Sequence, residues 1–256
     1  MAADTSEMSK ASQPQGSRLA FVDALRGFTV ISMVLFHYCY DLRYLAGLPL
    51  GFFQPPYQDI WRATISWTFL FIAGWMCSYS RSFLRRAGKY LLVALVIFAV
   101  TTVAAVDTPI NFGVIFCMGA STLVGGLLKK LNVLRGSTWL TVLFAILFIL
   151  CLPIPQGHFG IGSLSVAVPR TLYQNPYLSW LGFPGPSFSS GDYYPLLPFC
   201  LMYLVGENFG IWLRKSGVPQ WMWTRGAGPL RIVGRHSLLV YIVHQPILLL
   251  LSGVAL

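Results

Sequence analysis

Apolar residues run almost without interruption through stretches near 19–40, 60–80, 88–106, 111–128, 138–152, 194–213 and 233–255, with short polar segments between them. Crossing about 30 Å of hydrocarbon at about 1.5 Å per residue takes about 20 residues, and most of these runs have that length. None alternates with period two, so helices are expected rather than the strands of a barrel, and in hydrocarbon only a helix or a closed barrel satisfies its own backbone. The pattern predicts an all-α fold, a polytopic transmembrane helix bundle of about seven helices. The fifth run is short and ends at Pro153 and Pro155, where a helix is expected to stop. Residues 1–17, MAADTSEMSKASQPQGS, are small and polar without periodicity and are expected to form a disordered cytoplasmic tail, leaving residues 18–256 as one membrane domain. The first run carries Asp23 and Arg26 and has no small-x-small site after it, so it reads as a retained span rather than a cleaved signal.

Composition agrees with the bilayer as solvent: 55% of residues are hydrophobic and 10% charged, and the mean hydropathy is +0.64. Lys and Arg number 18 against 8 Asp and Glu, a net charge of +10. Nucleic-acid binding would gather this excess on one surface, whereas here it lies in short runs between apolar segments. Lys10 and Arg18 precede the first run. Arg81, Arg85, Arg86 and Lys89 follow the second, Lys129, Lys130 and Arg135 the fourth, and Arg214, Lys215, Arg225 and Arg231 the sixth. The alternate connections carry Arg43 with Arg62, then none, then Arg170. The positive-inside rule therefore predicts a cytoplasmic amino terminus. The connection at roughly 153–193 then faces the exterior, and Trp180, Phe183, Phe188, Tyr193 and Tyr194 suit either an aromatic belt or a cover over an outward-facing site. Cys39, Cys77, Cys117, Cys151 and Cys200 lie in or beside apolar runs without CxxC spacing and read as packing residues; no metal site is expected.

Ionisable groups within apolar spans cost several kcal/mol each and mark function by default, about 3 kcal/mol on insertion scales. Asp23 and Arg26, three apart in VDALRGF, share a helix face and can pair. His37 lies eleven residues beyond Arg26, about 16 Å along the axis, with Asp41 at i+4, a carboxylate able to fix the tautomer of a general base. In GRHSLLVYIVHQP, Ser237, Tyr241 and His244 form one polar stripe, with His244 expected near mid-membrane and Arg235 and His236 at the cytoplasmic mouth. Arg26, Arg235 and the Arg81, Arg85 and Arg86 group suit the phosphates of an anionic donor, or simply set the topology.

The segments DALRGFTVISMVLFHYCYDLRYL, WTFLFIAGWMCSYSRSFLRRAGKYL, INFGVIFCMGAS, GDYYPLLPF and GRHSLLVYIVHQPIL occur in that order. Together they resemble the bacterial membrane family that shares the catalytic-domain pattern of heparan-alpha-glucosaminide N-acetyltransferase, within the wider group of transmembrane acyltransferases. The resemblance implies transfer of an acetyl or other acyl group from cytoplasmic acyl-CoA, acetyl-CoA above all, to an amino or hydroxyl group of an exterior sugar or glycolipid. It implies His37 with Asp41 as the catalytic pair, Arg26, Arg235 and His236 as donor-binding residues, and Asp192, Tyr241 and His244 along the substrate path. Membrane lipid and an exterior glycan or lipid-linked sugar are the implied partners, nucleic acid is not, oligomerisation stays open, and the implied location is the bacterial inner membrane. One departure concerns the histidine that the lysosomal enzyme carries just beyond its first span: RYLAGLPLG has none, and His37 matches instead the span-one histidine of the related acyltransferases.

Two other functions fit the same residues. A small-solute carrier would use the polar stripe as its route and requires broken helices, for which Pro246 after Gln245 offers a break. A non-catalytic membrane subunit would use the stripe as a contact with another chain.

Overall fold

The computed structural model describes residues 19–252, so the expected tail at 1–17 lies outside the described residues. The long apolar runs are helices: α1 (Ala20–Tyr40), α2 (Tyr57–Cys77), α3 (Phe83–Ala104), α4 (Val114–Lys130), α5 (Thr138–Cys151) and α6 (Leu196–Ser216). The short α7 (Trp221–Thr224) leads into α8 (Gly228–Arg235) and α9 (Ser237–Ser252). Strand is confined, among the described residues, to the two-residue pair β1 (His158–Phe159) and β2 (Val166–Ala167) in the long connection before α6.

Among the described residues, four helical segments are long and apolar enough to cross a membrane: Ala20–Leu45, Phe83–Ala104, Thr138–Gln156 and Leu196–Ser216. They become five if α8 and α9, bent by 83°, count as one broken span. The chain is thus a multi-pass helical membrane protein. Of the remaining runs, α2 has 21 residues but is diluted by Arg62 and three tryptophans, and α4 has only 17 residues. The last run departs from the sequence expectation of one helix over 233–255. It breaks at His236, whose φ of −104° and ψ of 17° leave the helical range. Pro246, expected as the break, lies inside an uninterrupted α9: one missing backbone donor does not end a helix supported on both sides.

Glycine decides how closely the helices pack. The broadest helix interfaces are α2 with α6 and α1 with α8. A Cβ on Gly74 of α2 would collide with the Tyr203 carbonyl of α6, and one on Gly206 with the Phe71 carbonyl. At α1 and α8 the same holds for Gly27 against the Leu230 carbonyl and Gly234 against the Asp23 carbonyl. In lipid, where apolar side chains gain little by leaving their solvent, such backbone contact supplies the dispersion energy of association. The core between α2, α4 and α6 buries Leu70, Ala73, Cys117, Met118 and Tyr203, and the Thr122 and Tyr203 hydroxyls meet there at 2.8 Å. All five cysteines are free thiols, four of them buried as packing residues.

Candidate functional site

A cavity of about 490 Å³ penetrates the bundle, lined by residues of α1, α2, α3, α4 and α9. One end carries Asp23, Arg26, Arg86 and Lys89; Ser237 and Tyr241 bring α9 to its wall. Arg26 Nη1 lies 3.4 Å from Asp23 Oδ1, the pair expected from their spacing, and Arg235 Nε approaches the other oxygen of Asp23 at 3.6 Å. Arg235 therefore reaches the cavity through Asp23 and not as part of its lining, and His236 is exposed at the break between α8 and α9. Of the arginines before α3, Arg81 and Arg85 are exposed, whereas Arg86 turns inward and donates to the Ala73 and Met76 carbonyls at the end of α2. The last carbonyls of a helix carry partial negative charge and lack intrahelical donors, so a guanidinium is well placed there. Lys129 and Arg214 supply the same service to the Ser78 carbonyl, at 3.2 and 2.7 Å.

Beyond Tyr241 the polar stripe of α9 meets α1. The rings of His37 and His244 lie 5.0 Å apart, and those of Tyr241 and His244 5.7 Å apart. His244 is therefore level with the last turn of α1. His244 Nδ1 lies 2.7 Å from the Tyr241 carbonyl. Only an Nδ1–H donor satisfies that carbonyl, which leaves Nε2 with its lone pair, and this buried Nε2 has no hydrogen-bond partner among the described residues. The imidazole of His37 likewise makes no hydrogen bond among the described residues, only ring contacts with Phe36 and His244.

Asp41 is fully buried but does not bond His37, contrary to the i+4 expectation. Its two oxygens accept from Gln245 Nε2, at 2.9 and 3.1 Å, tying α1 to α9 immediately after His244. Asp41 keeps the regular α-helical relation to His37, its N–H bonding the His37 carbonyl, and the π-helical turn Asp41–Leu45 follows it, so it is the side chain alone that turns from His37 to Gln245. Asp41 thus fixes the helix that carries His244 rather than the ring of His37.

Asp192 lies before α6 and accepts the Val114 N–H at the start of α4, 3.1 Å away, while its Oδ2 fills the space beside Gly113. Burial pushes its carboxyl up to about 6, against the opposing pull of the Val114 N–H and of Arg62. The folded form thus holds this proton more tightly than the unfolded chain does, so ionisation penalises folding increasingly between about pH 4 and pH 6 and constantly above that. Asp192→Asn, which keeps an accepting oxygen, is expected to raise the thermal midpoint in detergent at pH 8 and to leave it unchanged near pH 4; a parallel offset at both pH values would reject the assignment. Around Asp192 the long connection before α6 folds onto the helix ends: Phe188 stacks on Phe112 at 5.9 Å, and the Tyr193 hydroxyl donates to the Ser179 carbonyl at 2.6 Å.

The family model for heparan-alpha-glucosaminide N-acetyltransferase, catalytic, matches residues 18–246. The chain belongs to this family. The matched range of the N-acetyltransferase family takes in every residue of the cavity and of the histidine pair, and ends just past Gln245. No curated protein and no solved structure matches the chain.

Within the domain that this family model matches, one buried group lies outside the expectation that confined intramembrane charge to the first and last helices. Glu207 of α6 is fully buried, has the Cys77 thiol and no amide, hydroxyl or cation hydrogen-bonded to its carboxylate among the described residues, and presses against Gly125. Lys129 and Arg86 lie within electrostatic reach of it. Its signal was present as a lone acidic residue in LMYLVGENFGIWL, by the same cost argument that singled out Asp23.

Proposed function

We propose that this chain is a membrane-embedded acyltransferase that moves an acetyl group from cytoplasmic acetyl-CoA to an amino or hydroxyl group of an exterior sugar or glycolipid. The observation that carries the reading is the cavity whose cationic end, Arg26, Arg86 and Lys89, runs inward to Tyr241, next to the His244 and His37 rings. Phosphates need clustered cations, and a thioester needs a base at some distance from them; the cavity supplies both along one line. Arg235 and His236 flank the cationic end, and Asp192 borders the path at the other. In the transfer the acceptor N–H or O–H loses its proton to an imidazole, the bond from acceptor to acetyl carbon forms, and the thioester C–S bond breaks. The proton then leaves on the CoA thiol. His37 takes the role of base, and Asp41 acts as a positioning residue through Gln245.

The same reading includes seven crossings, with α2, α4 and the broken α8–α9 pair added to the four most apolar spans, a cytoplasmic amino terminus, and residence in a bacterial inner membrane. Support for the orientation comes from the basic segments gathering at one end: Lys129 and Arg214 share the Ser78 carbonyl, and Lys215 donates to the Arg135 carbonyl at 2.7 Å. At the other end the Tyr40 hydroxyl donates to Asp107.

Acetyl-CoA binding and hydrolysis by the purified protein test the proposal. Lys89 makes no hydrogen bond or ion pair among the described residues, so Lys89→Ala probes the donor site without disturbing a helix end. The parent is expected to bind acetyl-CoA at micromolar concentration and release CoA, with Lys89→Ala binding about tenfold more weakly, about 1.4 kcal/mol. Absence of binding by the parent would end the enzyme reading.

A further inference from the structure

A second cavity, of about 360 Å³, lies between α3 and the start of α4. Ala94, Leu95, Ile97 and Phe98 of α3 form one wall, with Phe116 of α4 facing them. Its outer end carries Asn111, and at its inner end Tyr241 and Ile115 line both this cavity and the cationic one. The two spaces therefore meet at Tyr241, from opposite ends and with opposite character.

Helix α3 is the least covered long helix of the bundle: along its 22 residues only Ala87 is buried. Leu95 is 62% and Phe98 39% exposed at the rim of the second cavity. In a chain that spans a membrane such a rim faces acyl chains, so the cavity opens sideways into lipid and not into water. Its outer end is polar in a way its walls are not. Asp192 presses on Gly113 there, and the Ser190 hydroxyl accepts the Asn111 N–H at 2.9 Å.

An acetyl group has no use for an apolar groove of this size, and a free sugar gains nothing from its walls. We infer that the groove holds the hydrocarbon tail of an amphiphilic acceptor, a lipid-linked sugar. It enters laterally between α3 and α4 with its head group, and so its acceptor atom, at Asn111 and Asp192. The inference rests on the acetyltransferase reading and its orientation, and it narrows the acceptor from sugars in general to those carrying a tail.

Photolabelling of the full chain in phosphatidylethanolamine and phosphatidylglycerol nanodiscs tests this without requiring turnover. The probe is a dodecyl glucosaminide with a diazirine at the tail tip, compared with the same tail on a phosphocholine head. The glycosyl probe is expected to label residues 91–98 and 110–116 at least about fivefold more than the phosphocholine probe. The labelling is expected to be displaced by unlabelled dodecyl glucoside and not by glucose. Ala94→Trp, which fills the groove, abolishes it, whereas Leu92→Trp, exposed on α3 outside the groove, leaves it unchanged. Equal labelling by both probes would reduce the groove to ordinary boundary lipid and overturn the inference. Displacement by lauroyl-CoA in place of the glucoside would assign the groove to a donor chain and overturn it as well. Should Ala94→Trp fail to fold, the displacement result on the parent decides alone. Failure of acetyl-CoA binding is read separately: it removes the earlier proposal and with it the acceptor role, while the labelling alone decides whether the groove holds a glycolipid tail.

Discussion

His37→Ala is expected to lower acetyl transfer by about 10²- to 10⁴-fold while acetyl-CoA affinity stays within a few-fold of the parent, since a positioned general base contributes a factor of that size. The affinity expectation follows from distance: the cations that suit the phosphates are Arg26, Arg86 and Lys89, and His37 is absent from the lining they share. His244 is the ring nearest to His37, and its Nε2 is free to take a proton because Nδ1 is committed to the Tyr241 carbonyl. Neighbouring residues that serve one step lose activity non-additively, so the double variant His37→Ala with His244→Ala is expected to lose little more than either single one. Single-turnover transfer with radiolabelled acetyl-CoA measures both quantities. A His37→Ala enzyme that transfers acetyl within tenfold of the parent would sink the base assignment, and additive losses would separate the two rings.

Gly74→Val is expected to cost at least about 3 kcal/mol, at the upper end of overpacking penalties. The added atoms meet the Tyr203 carbonyl and, at 2.9 Å, the Glu207 nitrogen, which are rigid backbone and cannot turn away. Helices α2 and α6 must separate, and the bond between Thr122 and Tyr203 and the seat of buried Glu207 loosen with them. For a chain of this length the midpoint of thermal unfolding in detergent falls by about 10 °C, at about 2–4 °C per kcal/mol. Gly88→Ala is the control: nothing lies within 4 Å of its Cβ on exposed α3, and alanine favours a helix over glycine by about 1 kcal/mol. Its midpoint is expected to hold or rise. Size-exclusion profiles after graded heating distinguish the two, and a Gly74→Val midpoint equal to that of the parent would refute the close approach of the helices.

The helical membrane character of the chain was legible in its one-dimensional pattern because the cost of unpaired backbone in hydrocarbon leaves few solutions for long apolar runs. The pairing of Asp23 with Arg26 was legible for a similar reason, since neighbours three residues apart on a helix meet whatever surrounds them. The same local logic failed for His37 and Asp41, where the amide of Gln245, more than two hundred residues away, outcompeted the i+4 contact. Which arginines line the cavity was equally hidden. Arg81, Arg85 and Arg86 are alike in sequence, and only the position of the end of α2 turns Arg86 inward. The break at His236 set the level at which His244 meets His37, and no run of hydropathy records an 83° bend between two apolar segments. Sequence by itself therefore determined what depends on the bilayer and on neighbours within one helix: the all-helical membrane fold, the family and the residue types that carry chemistry. Tertiary structure alone decided which of those residues meet, because contacts between helices depend on glycine-permitted approach and on bends whose energy is spread over distant parts of the chain.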